Sequence, residues 1–275
     1  MNIIRRAALL AAVFVSIGWI PARAQLRPLD AFDWRLFDGD GVVMGEVGGG
    51  WMRDQRASLA GTEGTLVEAG SFRAFWRTGR VVIEAGGTVQ RFFREDGRFA
   101  PADPEVTPDA DGRRHDAGDY RIATAVRLTG EGAPVVAVLR FGTRLPTTDN
   151  RVGLDRDATD FFATLGGRAR RGRVAVQAEA GVGIFGTRDP DFEQDDLLVY
   201  ALKAEYDGGL VAPAVTVLGQ QVGAGHHEIR GNESLGEVRA GLRIGRREYL
   251  RAEIVHGYTG FSPSWGVLVS AGVVR

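Results

Sequence analysis

The chain has 275 residues, a formal net charge of −1, 33 arginines, one lysine and no cysteine. A disulfide framework and a thiolate metal site are therefore excluded. Leaving out Arg5, Arg6 and Arg23 moves the charge from −1 to −4, which argues against a nucleic-acid-binding surface. In chain order, Arg5 and Arg6 precede an apolar run of 14 residues, Ala7 to Ile20, which Pro21 breaks; Ala22-Arg23-Ala24 then fits a small-x-small cleavage site. We expect residues 1–24 to be a cleaved secretory signal, the alternative being an uncleaved anchor. The run is short for a spanning helix, which needs about 20 apolar residues. Residues 25–40 read as a periplasmic lead, and residues 41–275 as one β-domain.

From residue 41 onward the apolar residues recur with a period of two. In Tyr120–Leu128, Tyr120, Ile122, Thr124, Val126 and Leu128 share one face, and Arg121, Ala123, Ala125 and Arg127 share the other. Such alternation marks a two-faced strand. It predicts twelve strands, near 41–52, 65–76, 81–93, 119–129, 134–145, 160–169, 173–185, 197–206, 210–221, 236–245, 248–258 and 264–274. Most have 10 to 13 residues, longer than the usual soluble strand of about five or six and suited to a tilted strand crossing a bilayer.

The connections alternate in length. Short ones fall near Thr78, Gly130, Arg170, Asp207 and Arg246, and longer ones between them, the longest from about Arg94 to Gly118. Short periplasmic turns and long outer loops are the pattern of an up-and-down transmembrane barrel; a Greek-key sandwich has no reason to keep it. The polar faces carry long ionic side chains that we expect to line a wet lumen: Arg121, Arg140, Arg144, Glu179, Lys203, Glu205, Glu237, Arg239, Arg243, Arg251 and Glu253. Trp51, Phe93, Tyr120, Phe161 and Trp265 fall toward the long-loop ends of the apolar faces, and Trp76 and Tyr206 toward the turns, as two interfacial girdles would require. The last strand ends in Arg275, without the terminal aromatic common in bacterial barrels.

The blocks "LRFGTRLPTTDNRVGLDRDATDFFATL", "DDLLVYALKAEY", "GNESLGEVRAGLRIG" and "SPSWGVLVSAGV", with the opening "RPLDAFDWRLFDGDGVVMGEVGGGW", resemble the outer-membrane β-barrel transporter family of the phenol-degradation meta-pathway type. The resemblance spans nearly all of the chain after residue 24. It implies an outer-membrane location in a Gram-negative bacterium and, by resemblance alone, a hydrophobic or aromatic solute. It supplies no binding residues.

The acid-rich stretch Pro146–Thr159 is predicted as the third long loop. Its acids do not follow the calcium-loop pattern: Gly153 is at the wrong offset and no Glu closes it. We expect a solvated tip whose acids pair with Arg151 and Arg156. His115, His226 and His227 fall in long loops, and His226-His227-Glu228 is too local to chelate a metal well. His256 opposite Ser262 and Ser264 is the one pairing with the elements of a nucleophile and base. No cofactor is expected. The acids Asp191, Glu193, Asp195 and Asp196 are expected at the level of lipopolysaccharide phosphates, with weak divalent-cation association or plain solvation.

The sequence thus points to an all-β, antiparallel, up-and-down transmembrane barrel. Its leading function is passage of a small solute. A non-conducting structural or surface-contact barrel comes second, and an outer-membrane lipid-modifying enzyme third. The implied partners are outer-membrane lipid and lipopolysaccharide, the barrel-assembly and periplasmic chaperone machinery, and an unidentified solute. An epitope tag within 100–112 is expected to be reached by antibody on intact cells, and one at Asp207–Gly209 only after permeabilisation. The reverse labelling would overturn the orientation.

Overall fold

The computed structural model describes residues 26–38, 41–107, 111–149, 151–156, 158–187, 194–223 and 230–275; the expected signal segment lies outside them. A four-residue helix, α1 (Arg35–Asp38), precedes the sheet. The strands are β1 (Val43–Ala57), β2 (Thr62–Thr78), β3 (Val81–Arg98), β4 (Arg113–Asp116), β5 (Tyr120–Arg127), β6 (Val135–Leu145), β7 (Asp160–Arg171), β8 (Val174–Gly186), β9 (Gln194–Tyr206), β10 (Val211–Val222), β11 (Leu235–Ile244), β12 (Glu248–Gly257) and β13 (Trp265–Val274). Neighbours in sequence pair antiparallel, and β1 closes the ring against β13 from Met44↔Val274 to Arg53↔Trp265. β4 and β5 pair in succession with β3, at Arg91–Arg94 and Val81–Gly87. They act as one interrupted strand, so the ring has twelve positions. Closure gives each of the twelve long strands a neighbour on both sides, which is the condition for a sheet to stand in lipid; the short β4 pairs with β3 alone.

Alternation fixes which face is which. On β8, Val174, Val176 and Val182 are exposed on the outside, while Ala175 and Glu179 are buried within. Leu139, Phe141, Leu165, Leu202 and Ile254 continue the exposed apolar band around the ring. A band of this extent on a soluble protein would be an aggregation surface; on a transmembrane barrel it is the lipid contact. Trp51 and Trp265 meet edge-on at 4.7 Å between ring centroids across the closing seam. Phe161, Trp76 and Tyr206 are exposed, and Tyr120 packs on Phe72. At the short-turn end, the Gly209 amide and then the Arg170 guanidinium hold the Asp207 carboxyl below the usual carboxylate range.

Three expectations need correction. The first strands are longer than predicted, at 15, 17 and 18 residues, well beyond the roughly 9–11 that cross a bilayer. Consequently the first long connection is strand for most of its length, ending in a tight turn at 58–61. Phe93 does not belong to a girdle: it is buried inside, and Phe92 faces out. The in–out alternation of β3 slips between Thr88 and Arg91, opposite Gly70, whose φ is 69°. A second irregularity lies between Met52 and Gln55, around Asp54 at φ 53°. Finally, residues 26–38 do not form a lead outside the sheet; they run inside the barrel. Leu26 packs with Met52, Leu59, Leu66, Phe93, Val106 and Leu154 at the long-loop end. Phe32, Trp34, Leu36 and Phe37 pack with Met44, Phe75, Val82 and Val138 toward the other end. The segment is apolar at both extremities and charged between, so the interior satisfies it better than water does.

Gly70 is a position within a strand where the conformational freedom of glycine is required. Left-handed geometry costs other residues about 1–2 kcal/mol, and a Cβ there would meet Val89 at 3.1 Å. Gly70→Ala is therefore expected to destabilise the refolded barrel by about 1–2 kcal/mol, read as a lower denaturant midpoint.

Candidate functional site in the lumen

The lumen is built around the segment Leu26–Asp38, which makes no strand pairing among the described residues. Wall side chains take over its backbone groups instead. The Phe32 amide donates to the Glu179 carboxylate at 3.0 Å; Arg140 donates to the Asp30 carbonyl at 3.0 Å, and Arg73 to the Ala31 carbonyl at 3.0 Å. Arg77 holds the Leu36 carbonyl at 2.5 Å. Pro28 has no N–H to satisfy.

The segment's charged side chains bridge different strands. Arg27 reaches Glu68 on β2 at 3.0 Å and Glu237 on β11 at 2.8 Å. The Asp30 carboxylate accepts from Arg121 on β5 at 2.9 Å and from Arg239 on β11 at 2.8 Å. Those strands stand six places apart in the twelve-place ring, so one carboxylate ties opposite walls. Arg35 pairs with Asp33 at 2.7 Å, donates to the Tyr249 hydroxyl at 2.9 Å and stacks over that ring.

The eleven residues singled out from sequence all join this interior system. Arg140 binds Glu84 at 2.8 Å and Glu179 at 3.1 Å, and Thr164 donates to Glu179 at 2.5 Å. Arg121 also approaches Glu84, at 3.4 Å. Glu237 accepts from Arg239 at 2.7 Å. Arg144 pairs with Asp119 at 3.1 Å and with Asp160. Lys203 and Glu205 meet at 2.8 Å, Arg243 reaches Glu205 at 3.5 Å and donates to the Gly245 carbonyl, and Arg251 pairs with Glu46 and stands 4.0 Å from Glu253.

The expectation of a wet lining fails for the centre of this set. Arg140 is 1% exposed, and Arg144, Glu179, Glu237 and Arg239 are buried. The filler is the N-terminal segment, whose lack of periodicity concealed its place. The reading of Pro146–Thr159 as a solvated tip also fails. Leu154, Asp155 and Arg156 turn inward and are buried. Asp155 pairs with Arg91, and Arg156 with Asp160 at 2.5 Å while stacking on Phe185. Loop acids beside wall arginines in a narrow barrel gain more from those partners than from bulk water. Asp157, Asp191, Glu193, His226, His227 and Glu228 lie outside the described residues; Asp195 is buried rather than exposed to solvent.

Sequence reading missed Arg27, Asp30, Glu46, Glu68, Glu84 and Asp119. Glu46 and Glu84 occupy inward positions of β1 and β3, so strict parity would have found them. The segment residues carried no periodic signal. The His–Ser pairing does not form: His256 Nδ1 meets the Ser264 backbone carbonyl at 2.6 Å, and the Ser264 hydroxyl donates to Asp54 at 2.7 Å.

No family model and no curated relative matches the chain. Among solved structures, an outer membrane channel from Pseudomonas putida F1 is similar over 94% of this chain and 100% of its own, with a TM-score of 0.61 and 14% identity. The chain has the outer-membrane β-barrel fold. That likeness extends to the fold, in agreement with the barrel family that the sequence resembles. The transport unit of the autotransporter AIDA-I from Escherichia coli (TM-score 0.49, 11% identity, 90% of this chain and 93% of that one) and outer membrane phospholipase A from Escherichia coli (0.45, 12%, 91% and 98%) are more distant.

Removing one partner of a buried ion pair leaves the other unpaired, which typically costs about 3–5 kcal/mol. Arg140→Ala takes the nearest guanidinium from Glu84, which keeps Arg121 at 3.4 Å, and from Glu179, which keeps the Thr164 hydroxyl and the Phe32 amide. It is expected to destabilise the folded barrel by about that amount, measured by denaturant titration of the refolded protein. A change in ion preference with unaltered stability would show that water reaches these carboxylates.

Proposed function

We propose that this protein is an outer-membrane channel for a small solute, held shut by its own N-terminal segment and by the loop that turns inward at Leu154–Arg156. The observation that carries this reading is how residues 26–38 are held. They fill the lumen through side chains and make no strand hydrogen bonds with the wall among the described residues. An interior strand would be a permanent part of the sheet. A segment fixed by ion pairs and by two apolar anchors can leave while the sheet stays intact. The similarity to a bacterial outer membrane channel supports the same class. In this reading residues 1–24 direct export, the short turns face the periplasm and the long loops face outward.

The buried character of Arg140, Glu84 and Glu179 favours the second reading, a permanently filled structural barrel. Loosening the segment separates the two. Phe32→Ala together with Trp34→Ala removes its main anchors at the short-turn end, each large-to-small change costing about 3–5 kcal/mol of packing when it occurs in a core. In planar bilayers the wild type is expected to be mostly closed and the double variant to show ohmic steps. A double variant that still migrates as a folded, heat-modifiable barrel but never conducts would leave the structural reading standing.

A further inference from the structure

The packed network does not absorb the whole lumen. A cavity of about 170 Å³ remains beside Asp30. A cavity of about 150 Å³ in another protein holds benzene, so this one has room for a single ring. Phe162, Phe185 and Leu268 give it apolar walls.

Its polar lining is unbalanced. Apart from the N-terminal segment, seven cationic side chains and five anionic ones border the cavity. Two of the bordering arginines, Arg73 and Arg239, each hold one buried guanidinium nitrogen, Nε and Nη2 respectively, without a hydrogen-bond partner, and the Arg239 side chain is only 9% exposed. The segment adds Asp30 between Arg121 and Arg239, which also meet Glu84 and Glu237 behind the border.

We propose that Asp30 stands in for the solute: the position between Arg121 and Arg239, with the adjoining cavity, binds the carboxylate of a small organic acid bearing a ring-sized apolar group, and this acid displaces Asp30. The assignment rests on the channel reading above and specifies its solute class. Withdrawal of Asp30 without a replacement anion would take one counter-charge from each of these enclosed guanidinium groups, leaving Arg121 with Glu84 at 3.4 Å and Arg239 with Glu237 at 2.7 Å, a less favourable state than the filled one. A neutral solute does not relieve it, and a cation worsens it. An arriving carboxylate restores the pairing, with the planar two-donor geometry that arginine offers such groups. Its apolar part meets the phenyl walls. A ligand shifts such an equilibrium only through its different affinity for the two states; here the difference is the anion's own charge, which has a place only when Asp30 has left it. Asp30 is suited to leave because it belongs to a stretch outside the sheet.

The test is calorimetric titration of the refolded protein lacking residues 1–24, in detergent micelles at low chloride and pH 7. The probes are sodium benzoate and benzyl alcohol, its neutral counterpart. Benzoate is expected to bind at least tenfold more tightly than benzyl alcohol. Asp30→Asn keeps the shape of the side chain and removes its competing charge, and is expected to tighten benzoate binding about tenfold. Heat-modifiable migration establishes that this variant is folded. In the wild type, benzoate is expected to increase protease cleavage within 26–38, a readout that does not need the variant. Absence of benzoate binding, equal binding of the alcohol, or no gain in a folded Asp30→Asn barrel would each overturn the proposal. Binding is read without conductance. A protein that binds benzoate but never conducts retains the site and loses the channel reading; one that conducts without binding benzoate loses the site alone.

Discussion

A guanidinium enclosed by a sheet that lipid surrounds must find its counter-charge on another side chain. An enclosed ion without a partner costs several kcal/mol even after local relaxation, so interior arginines and acids must be placed together. This requirement explains much of the barrel. It sets Glu46, Glu68 and Glu84 at inward positions of the first three strands, Glu179 across from Arg140, and Glu237 beside Arg239. It also explains the composition of the N-terminal segment, whose Arg27, Asp30, Asp33 and Arg35 are distributed so that each meets an opposite charge.

Ion pairs occupy the middle of the filled lumen and apolar clusters close its ends. At the long-loop end, the tip of the β1–β2 hairpin brings Leu59 and Ala60 over Leu26, Val106 and Leu154. At the short-turn end, Phe32, Phe37 and Phe75 form a second seal, with ring centroids 5.9 and 6.4 Å from Phe32. Apolar packing is indifferent to which molecule supplies it, whereas the charged middle is selective. A barrel built in this order has apolar packing at both ends of its interior and ion pairs in the region between them.

The strands were legible because alternation is a local signal. A residue on β8 or β11 need only differ from its neighbour for the face to be read, and the short turns at Asp207 and Arg246 punctuate the pattern. Alternation also identified Arg140 and Glu179 as interior without a structure. It failed wherever the backbone departs from regular pleating. Phe93 was placed outside because the slip opposite Gly70 cannot be seen in a side-chain pattern. Solvation was the larger gap. The same inward arginine is wet in an empty barrel and buried in a filled one, and the filler, Leu26–Asp38, has neither strand nor helical period. The inward turn at Leu154–Arg156 was hidden for a similar reason: loop acids look alike in sequence whether they meet water or arginine.

Lys203 projects from β9 into this interior, borders the cavity and pairs with Glu205. It is the only lysine in the chain, and there is no cysteine. The protein consequently carries a single side-chain amine, and it is on the wall of the lumen. Amine-selective acylation therefore has one side-chain target, whose reactivity reports how readily small reagents enter. The scarcity of lysine elsewhere gives the barrel a chemical address inside itself.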